Sequence, residues 1–223
     1  MWRDALLVAG KDLRIERRSK VALQQIVPFA VLVIVLFAFA LDPDRGVLTR
    51  AAAGLFWVAV LFSALLAVQR SQGVEGADGV RDALRLSGLD PAGVFLGKAV
   101  AVAVQLLLLE LVLGTGVVLL YDVDVDGAGT LALTALSATA GLAAAGSLYG
   151  ALAAGLRVRE TLLPLLLLPV VAPVLIAATR ASESALTGTS FEVSSGAWLG
   201  LLGVFAVLYV GFGVLAYGPL LED

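Results

Sequence analysis

The 223 residues are 60% hydrophobic and 15% charged, whereas a soluble domain is about half apolar and about a quarter charged. Mean hydropathy is +1.00, which points to a membrane protein. With no histidine and no cysteine, the chain has no disulfide, no thiolate nucleophile and none of the usual His or Cys metal and haem-iron ligands. The net charge of −3 decides little, because the charges are unevenly placed.

Residues 1–20 carry Arg3, Lys11, Arg14, Arg17, Arg18 and Lys20. No apolar core with a small-residue cleavage site follows that basic start, so the segment does not read as a signal peptide. Trp2, Leu6, Ala9 and Leu13 recur at helical spacing, with Arg3, Lys11, Arg14 and Arg18 roughly opposite. This predicts an amphipathic helix lying in the membrane interface. A basic tail that only enforces topology is the alternative.

A helix crosses the bilayer core in about 20 apolar residues, and six stretches qualify, at roughly 21–41, 50–69, 97–121, 128–156, 161–180 and 196–219. The fourth is long enough to extend beyond the bilayer or break. Twelve of the fifteen Lys and Arg residues fall in 1–20, in 70–98 (Arg70, Arg81, Arg85, Lys98) and in 157–160 (Arg157, Arg159). Arg45, Arg50 and Arg180 fall on the other side, near Asp122, Asp124 and Asp126. The bias predicts cytoplasmic N- and C-termini.

The connection 70–96 is the longest on that side. Asp78 suits an N-cap and Gly88 a C′ position, with Val80, Ala83 and Leu84 on an apolar face and Arg81, Asp82 and Arg85 on a polar one. Asp90-Pro91 restarts a helix with Pro at its first position. Such a short helix is either a handle for a soluble partner or a solvated connector. GVFLGKA, Gly93 to Ala99, is one residue too short for a phosphate loop, has Ala99 in place of the hydroxyl, and follows no strand. Gly97 and Lys98 are instead expected to start span three, with Lys98 at headgroup level.

Within QLLLLELVLG, residues 105–114, Glu110 lies near the middle of span three, where a charged residue costs about 2.5–3.5 kcal/mol on insertion scales. Ala103 and Gly114 leave room on its face for another helix. Ser63, Thr139, Ser147 and Tyr149 are its candidate hydrogen-bond partners. It is expected either to make a buried polar contact or to line a transport or dimer interface. No acidic partner lies in the spans, which disfavours an intramembrane acid-pair enzyme.

Span four carries Gly141, Ala145, Gly146, Gly150, Ala154 and Gly155, small residues that allow close helix approach within the monomer or at a homodimer seam. Span five carries Pro164, Pro169 and Pro173. They remove backbone donors, which a membrane tolerates where neighbours or water re-satisfy the carbonyls. The result is an irregular packed helix or a flexible gate near the periplasmic side. The loop 181–195, with Phe191, suggests no ligand.

Several stretches resemble CcmB, the haem-exporter B membrane subunit of bacterial cytochrome c maturation. They are KDLRIERRS (Lys11 to Ser19), FAFALDPD (Phe37 to Asp44), GLFWVAVLFSALLAVQR (Gly54 to Arg70), LSGLDPAGVFLGK (Leu86 to Lys98) and LLPLLLLPVVAPVLI (Leu162 to Ile176). They run in order over nearly the whole length. Gly54-x-x-Trp57 with Arg70 is the best motif, followed by Pro164, Pro169 and Pro173. Gln69 stands where the family has a Glu, and Ser87-Gly88 where a Pro is usual.

The resemblance implies an all-α polytopic membrane protein, ABC-2 or type V exporter-like, forming one transmembrane domain over 1–223 with an interfacial N-terminal helix. It implies a non-enzymatic permease subunit of an ABC-type haem exporter in the bacterial inner membrane. A CcmA-like ATPase, a CcmC-like haem-handling protein and a small accessory membrane subunit would be its partners, with two copies per complex, membrane lipid around it and no nucleic acid. ATP hydrolysis would drive haem delivery or release of a haem-loaded periplasmic chaperone. Glu75, Val80, Arg81, Leu84 and Arg85 are the expected ATPase-coupling residues. No cofactor is expected on this chain, and haem iron is expected to be held by partner subunits. The alternatives are an ABC-2-type permease exporting a lipid, polysaccharide or drug, and a non-transporting assembly scaffold.

Overall fold

The computed structural model describes residues 1–20, 22–41, 45–75, 86–154, 159–186 and 193–222. Helix α1 spans Trp2–Ser19, and a π-helical turn, Ala22–Ile26, leads into α2, Val27–Leu41. Then follow α3 (Arg45–Glu75), α4 (Pro91–Tyr121), α5 (Ala128–Ala154), α6 (Arg159–Leu186) and α7 (Val193–Glu222). Among the described residues, six helices are long and apolar enough to cross a membrane. The protein is an all-α, multi-pass membrane protein.

The helix ends follow local chemistry. Gly88 is left-handed at φ 67°, as its expected place after a helix requires. Asp90 caps α4, its carboxylate accepting from the Ala92 N–H at 3.3 Å, and Pro91 opens the helix. Four of the six spans are longer than hydropathy suggests. Helix α3 extends at both ends, and α6 continues to Leu186, because weakly polar turns such as Ala178–Ala185 still pack on the bundle.

Helix α5 packs against α3, α4, α6 and α7. Little free energy separates lipid from apolar side chains, so close approach of small residues must hold such a bundle. A Cβ on Gly141 would meet Phe205 of α7 at 2.8 Å, and one on Gly146 would meet Val68 of α3 at 2.6 Å. Gly150 faces Val68 and Gln72 at 2.9 and 3.0 Å. These glycines therefore pack within the monomer. Helices α2 and α7 are the least enclosed, and their outer faces present Leu32, Leu36, Phe39, Val207, Phe212 and Leu215.

Helix α1 does not expose a single apolar face as expected. Ala5, Val8 and Ala9 pack onto the start of α4, while Trp2 and Leu6 stay 72% and 75% exposed. The bundle takes one flank, and the neighbouring flank, with Trp2 and Leu6, stays uncovered. The seat on α4 is Gly93-x-x-x-Gly97: a Cβ at Gly97 would lie 2.6 Å from the Ala5 carbonyl oxygen, and one at Gly93 would lie 2.7 Å from that of Met1. Asp4 also accepts from the Asp90 N–H at 3.3 Å. The GVFLGKA stretch is thus a helix-packing motif.

Lys98 lies two turns inside α4 and is 1% exposed, buried in the bundle beside the α1 seat. Helix α4 starts at Pro91, six residues before the hydropathy boundary, and this carries Lys98 inward.

Candidate functional site

The chain direction places the ends of α3 and α5 and the starts of α4 and α6 beside α1, at what is here termed the basic end. The opposite, far end holds a cavity of about 490 Å³ between the third and fourth turns of α3 (Ala52 to Trp57), the first turns of α5, the second half of α4 and the end of α6. Its wall includes Phe56, Trp57, Glu110, Gly114 and Ser182, and exposed Leu111, Val118 and Leu119 form a lip on the side of the bundle.

The polar groups around this cavity are few and mostly committed. Trp57, 2% exposed, donates its indole Nε1–H to Ser182 Oγ at 3.0 Å, linking α3 to α6. Phe56 meets Trp57 edge-on, with centroids 5.3 Å apart. Glu110 is 5% exposed. Thr139 Oγ1 on α5 donates to Glu110 Oε1, while Glu110 Oε2 is buried with no hydrogen-bond partner among the described residues. Among the described residues, Glu110 is the one ionisable side chain in the lining.

Of the four candidate partners, Thr139 is the one that pairs with Glu110. Ser63 donates to the Ala59 carbonyl of its own helix at 2.7 Å, and Tyr149 lies beside Tyr209, with ring centroids 6.4 Å apart. Ser147 Oγ is buried without a hydrogen-bond partner among the described residues. The room left by Gly114 is taken by the cavity, not by a helix: a Cβ there would meet only Phe56, at 4.0 Å.

The other singled-out residues lie elsewhere. Arg70 borders a second cavity of about 340 Å³ at the basic end, with Gln69, Gln72, Gly150 and Leu163. Its Nε is buried and lacks a hydrogen-bond partner among the described residues. Gly54 is not sterically required, because a Cβ would meet only Thr179 at 3.9 Å. Pro164, Pro169 and Pro173 sit inside a continuous helix, the first two in the half of α6 nearer the basic end and Pro173 at its middle, with Pro169 and Pro173 exposed. The prolines lie off the packed face formed by Leu163, Leu167, Val171 and Val174. Val80, Arg81, Leu84 and Arg85 lie outside the described residues. Glu75 ends α3 at the basic end.

Sequence reasoning missed Ser182 and Phe56 as partners of this site. A serine one helical register from span five's apolar face was the available signal for Ser182. Phe56 carried none.

A profile of the CcmB protein family matches residues 3–221. The chain belongs to the CcmB family. Among CcmB relatives, a Haemophilus influenzae protein named heme exporter protein B is 34% identical over 202 residues, covering 91% of this chain and 90% of that protein. Proteins of the same name from Paracoccus denitrificans and Bradyrhizobium diazoefficiens are 31% and 30% identical, over 82% and 92% of this chain and 84% and 91% of their own lengths. The CcmB match covers both cavities and the α1 seat.

Proposed function

We propose that this chain is the membrane subunit of an ATP-driven haem-export complex acting in cytochrome c biogenesis. The observation that carries the reading is the match over residues 3–221 to a family whose relatives are named heme exporter protein B. The chain lies in the bacterial inner membrane with both termini in the cytoplasm, as the placement of Lys and Arg supports. ATP is hydrolysed on a separate CcmA-like subunit, and a CcmC-like protein and a small accessory subunit complete the assembly, with two copies of this chain.

The division of labour follows from chemistry. Haem iron calls for His, Cys, Met or Tyr ligands. This chain has no His or Cys and a single Met, and its tyrosines include Tyr121, whose hydroxyl donates to the Ile34 carbonyl at 3.0 Å. Iron ligation therefore belongs to a partner. The basic end suits the ATPase: α3 ends and α4 starts there, the connection 76–90 between them includes Val80, Arg81, Leu84 and Arg85, and Glu75 immediately precedes it. Nucleotide binding on the partner biases a two-state bundle through that contact. The outcome is haem delivery or release of a haem-loaded periplasmic chaperone.

Deletion of the gene tests this reading. Loss of covalently haem-bearing c-type cytochromes, restored by the intact chain, is expected. Normal c-type cytochromes in the deletion strain would overturn it.

A further inference from the structure

We propose that the cavity around Glu110 binds a lipophilic organic cation, a single positive charge carried on an aromatic or alkyl body. The volume, about 490 Å³, falls within the roughly 300–1,000 Å³ of small-molecule sites, which are mostly apolar with a few placed polar groups. The walls are aliphatic apart from Phe56, Trp57, Glu110, Thr115 and Ser182.

Charge complementarity selects the ligand. A carboxyl in apolar surroundings is charged only where a partner compensates it, and is otherwise held as the neutral acid. Thr139 satisfies one oxygen of Glu110, whereas among the described residues Oε2 has no partner and no Lys or Arg lines the cavity. A cation entering the cavity supplies the missing interaction. The edge-to-face pair Phe56–Trp57 adds π-electron density that attracts cations and rejects anions. The Trp57 indole N–H is already given to Ser182, so it does not offer a donor to an anion.

Other occupants fit less well. An acyl chain would fill the volume and leave the carboxyl uncompensated. Haem carries two carboxylates and would bring them to a carboxyl site without a cationic side chain. Entry is from the side: Leu111, Val118 and Leu119 are exposed at the lip, so a ligand dissolved in the bilayer reaches Glu110 without crossing a polar end.

The proposal concerns binding alone and is measured without haem or ATP, so its failure and that of the haem-export reading are separable. The full chain, in lipid nanodiscs with whatever subunits accompany it, is dialysed against labelled tetraphenylphosphonium. We expect saturable binding of one cation per chain, weakened about tenfold or more by Glu110→Gln, the equivalent of removing one charge-assisted contact. Thr115→Trp, which plugs the cavity without touching the carboxyl, should abolish binding. Neutral triphenylphosphine should not displace the cation. Absence of saturable binding to the wild-type chain would overturn the proposal. So would undiminished binding to a monodisperse Glu110→Gln protein, or equal competition by triphenylphosphine, which would mark a purely apolar pocket. If Glu110→Gln fails to fold, Thr115→Trp and the neutral competitor still decide the question on intact protein.

Discussion

At the basic end, Gly93 and Gly97 let α1 press onto α4 until a single added carbon would lie 2.6–2.7 Å from backbone oxygens. At the far end, the same helix α4 stands apart from α3 and α6 around about 490 Å³ of apolar space. One helix thus carries a close-packed joint and an open chamber, with Glu110 at the inner edge of the chamber. The close-packed contacts of the basic end are not continuously deformable. The looser far end leaves room for a ligand.

The sharpest way to break this contrast is Gly97→Leu. Its side chain would run into the Ala5 carbonyl and Val8, and overpacking of this kind costs about 1–3 kcal/mol or more. We expect α1 to leave its seat and trypsin to cut at Lys11 and Arg14 about tenfold faster or more, as local opening becomes easier. Unchanged cleavage would mean that the joint is not tight. Gly146→Ala should cost less, about 1 kcal/mol, because the atom it meets is a Val68 methyl at 2.6 Å that has some freedom to move. A lowered unfolding temperature in detergent reads this out.

At the far end effects should shrink. Trp57→Phe removes the bond to Ser182 while keeping an aromatic wall. Interhelical hydrogen bonds in membranes average about 0.6 kcal/mol, so a small drop in unfolding temperature with intact assembly is expected; a collapse would show that the chamber is as tightly braced as the basic end. Gly54→Ala should change nothing measurable in stability, since its Cβ has open space and Thr179 only at 3.9 Å. Marked destabilisation would assign Gly54 a packing role that this geometry lacks.

The spans and their order were legible because lipid demands long apolar runs, and each run announces itself. Close packing around Gly141, Gly146 and Gly150 was legible for the same reason: small residues at helical spacing have few other uses there. The seat of α1 was hidden because Gly93 and Gly97 begin a span and invited comparison with a phosphate loop. The inward position of Lys98 follows from where α4 starts, which Asp90-Pro91 marked but hydropathy overrode. Thr139 could be named among four partners for Glu110 but not chosen, since the choice depends on how far α5 slides and turns against α4. The chamber has no signature in the chain. It is the space between four helices, and Gly114 marked only that space was available.

The most direct test of the central claim is to tag the chain, solubilise the membrane in mild detergent and identify what is retained, for the wild type and for Arg81→Glu/Arg85→Glu. The account predicts an ATPase subunit and a haem-handling membrane protein with the wild type, and loss of the ATPase alone from the charge-reversed chain. Recovery of neither partner with the wild type would contradict it.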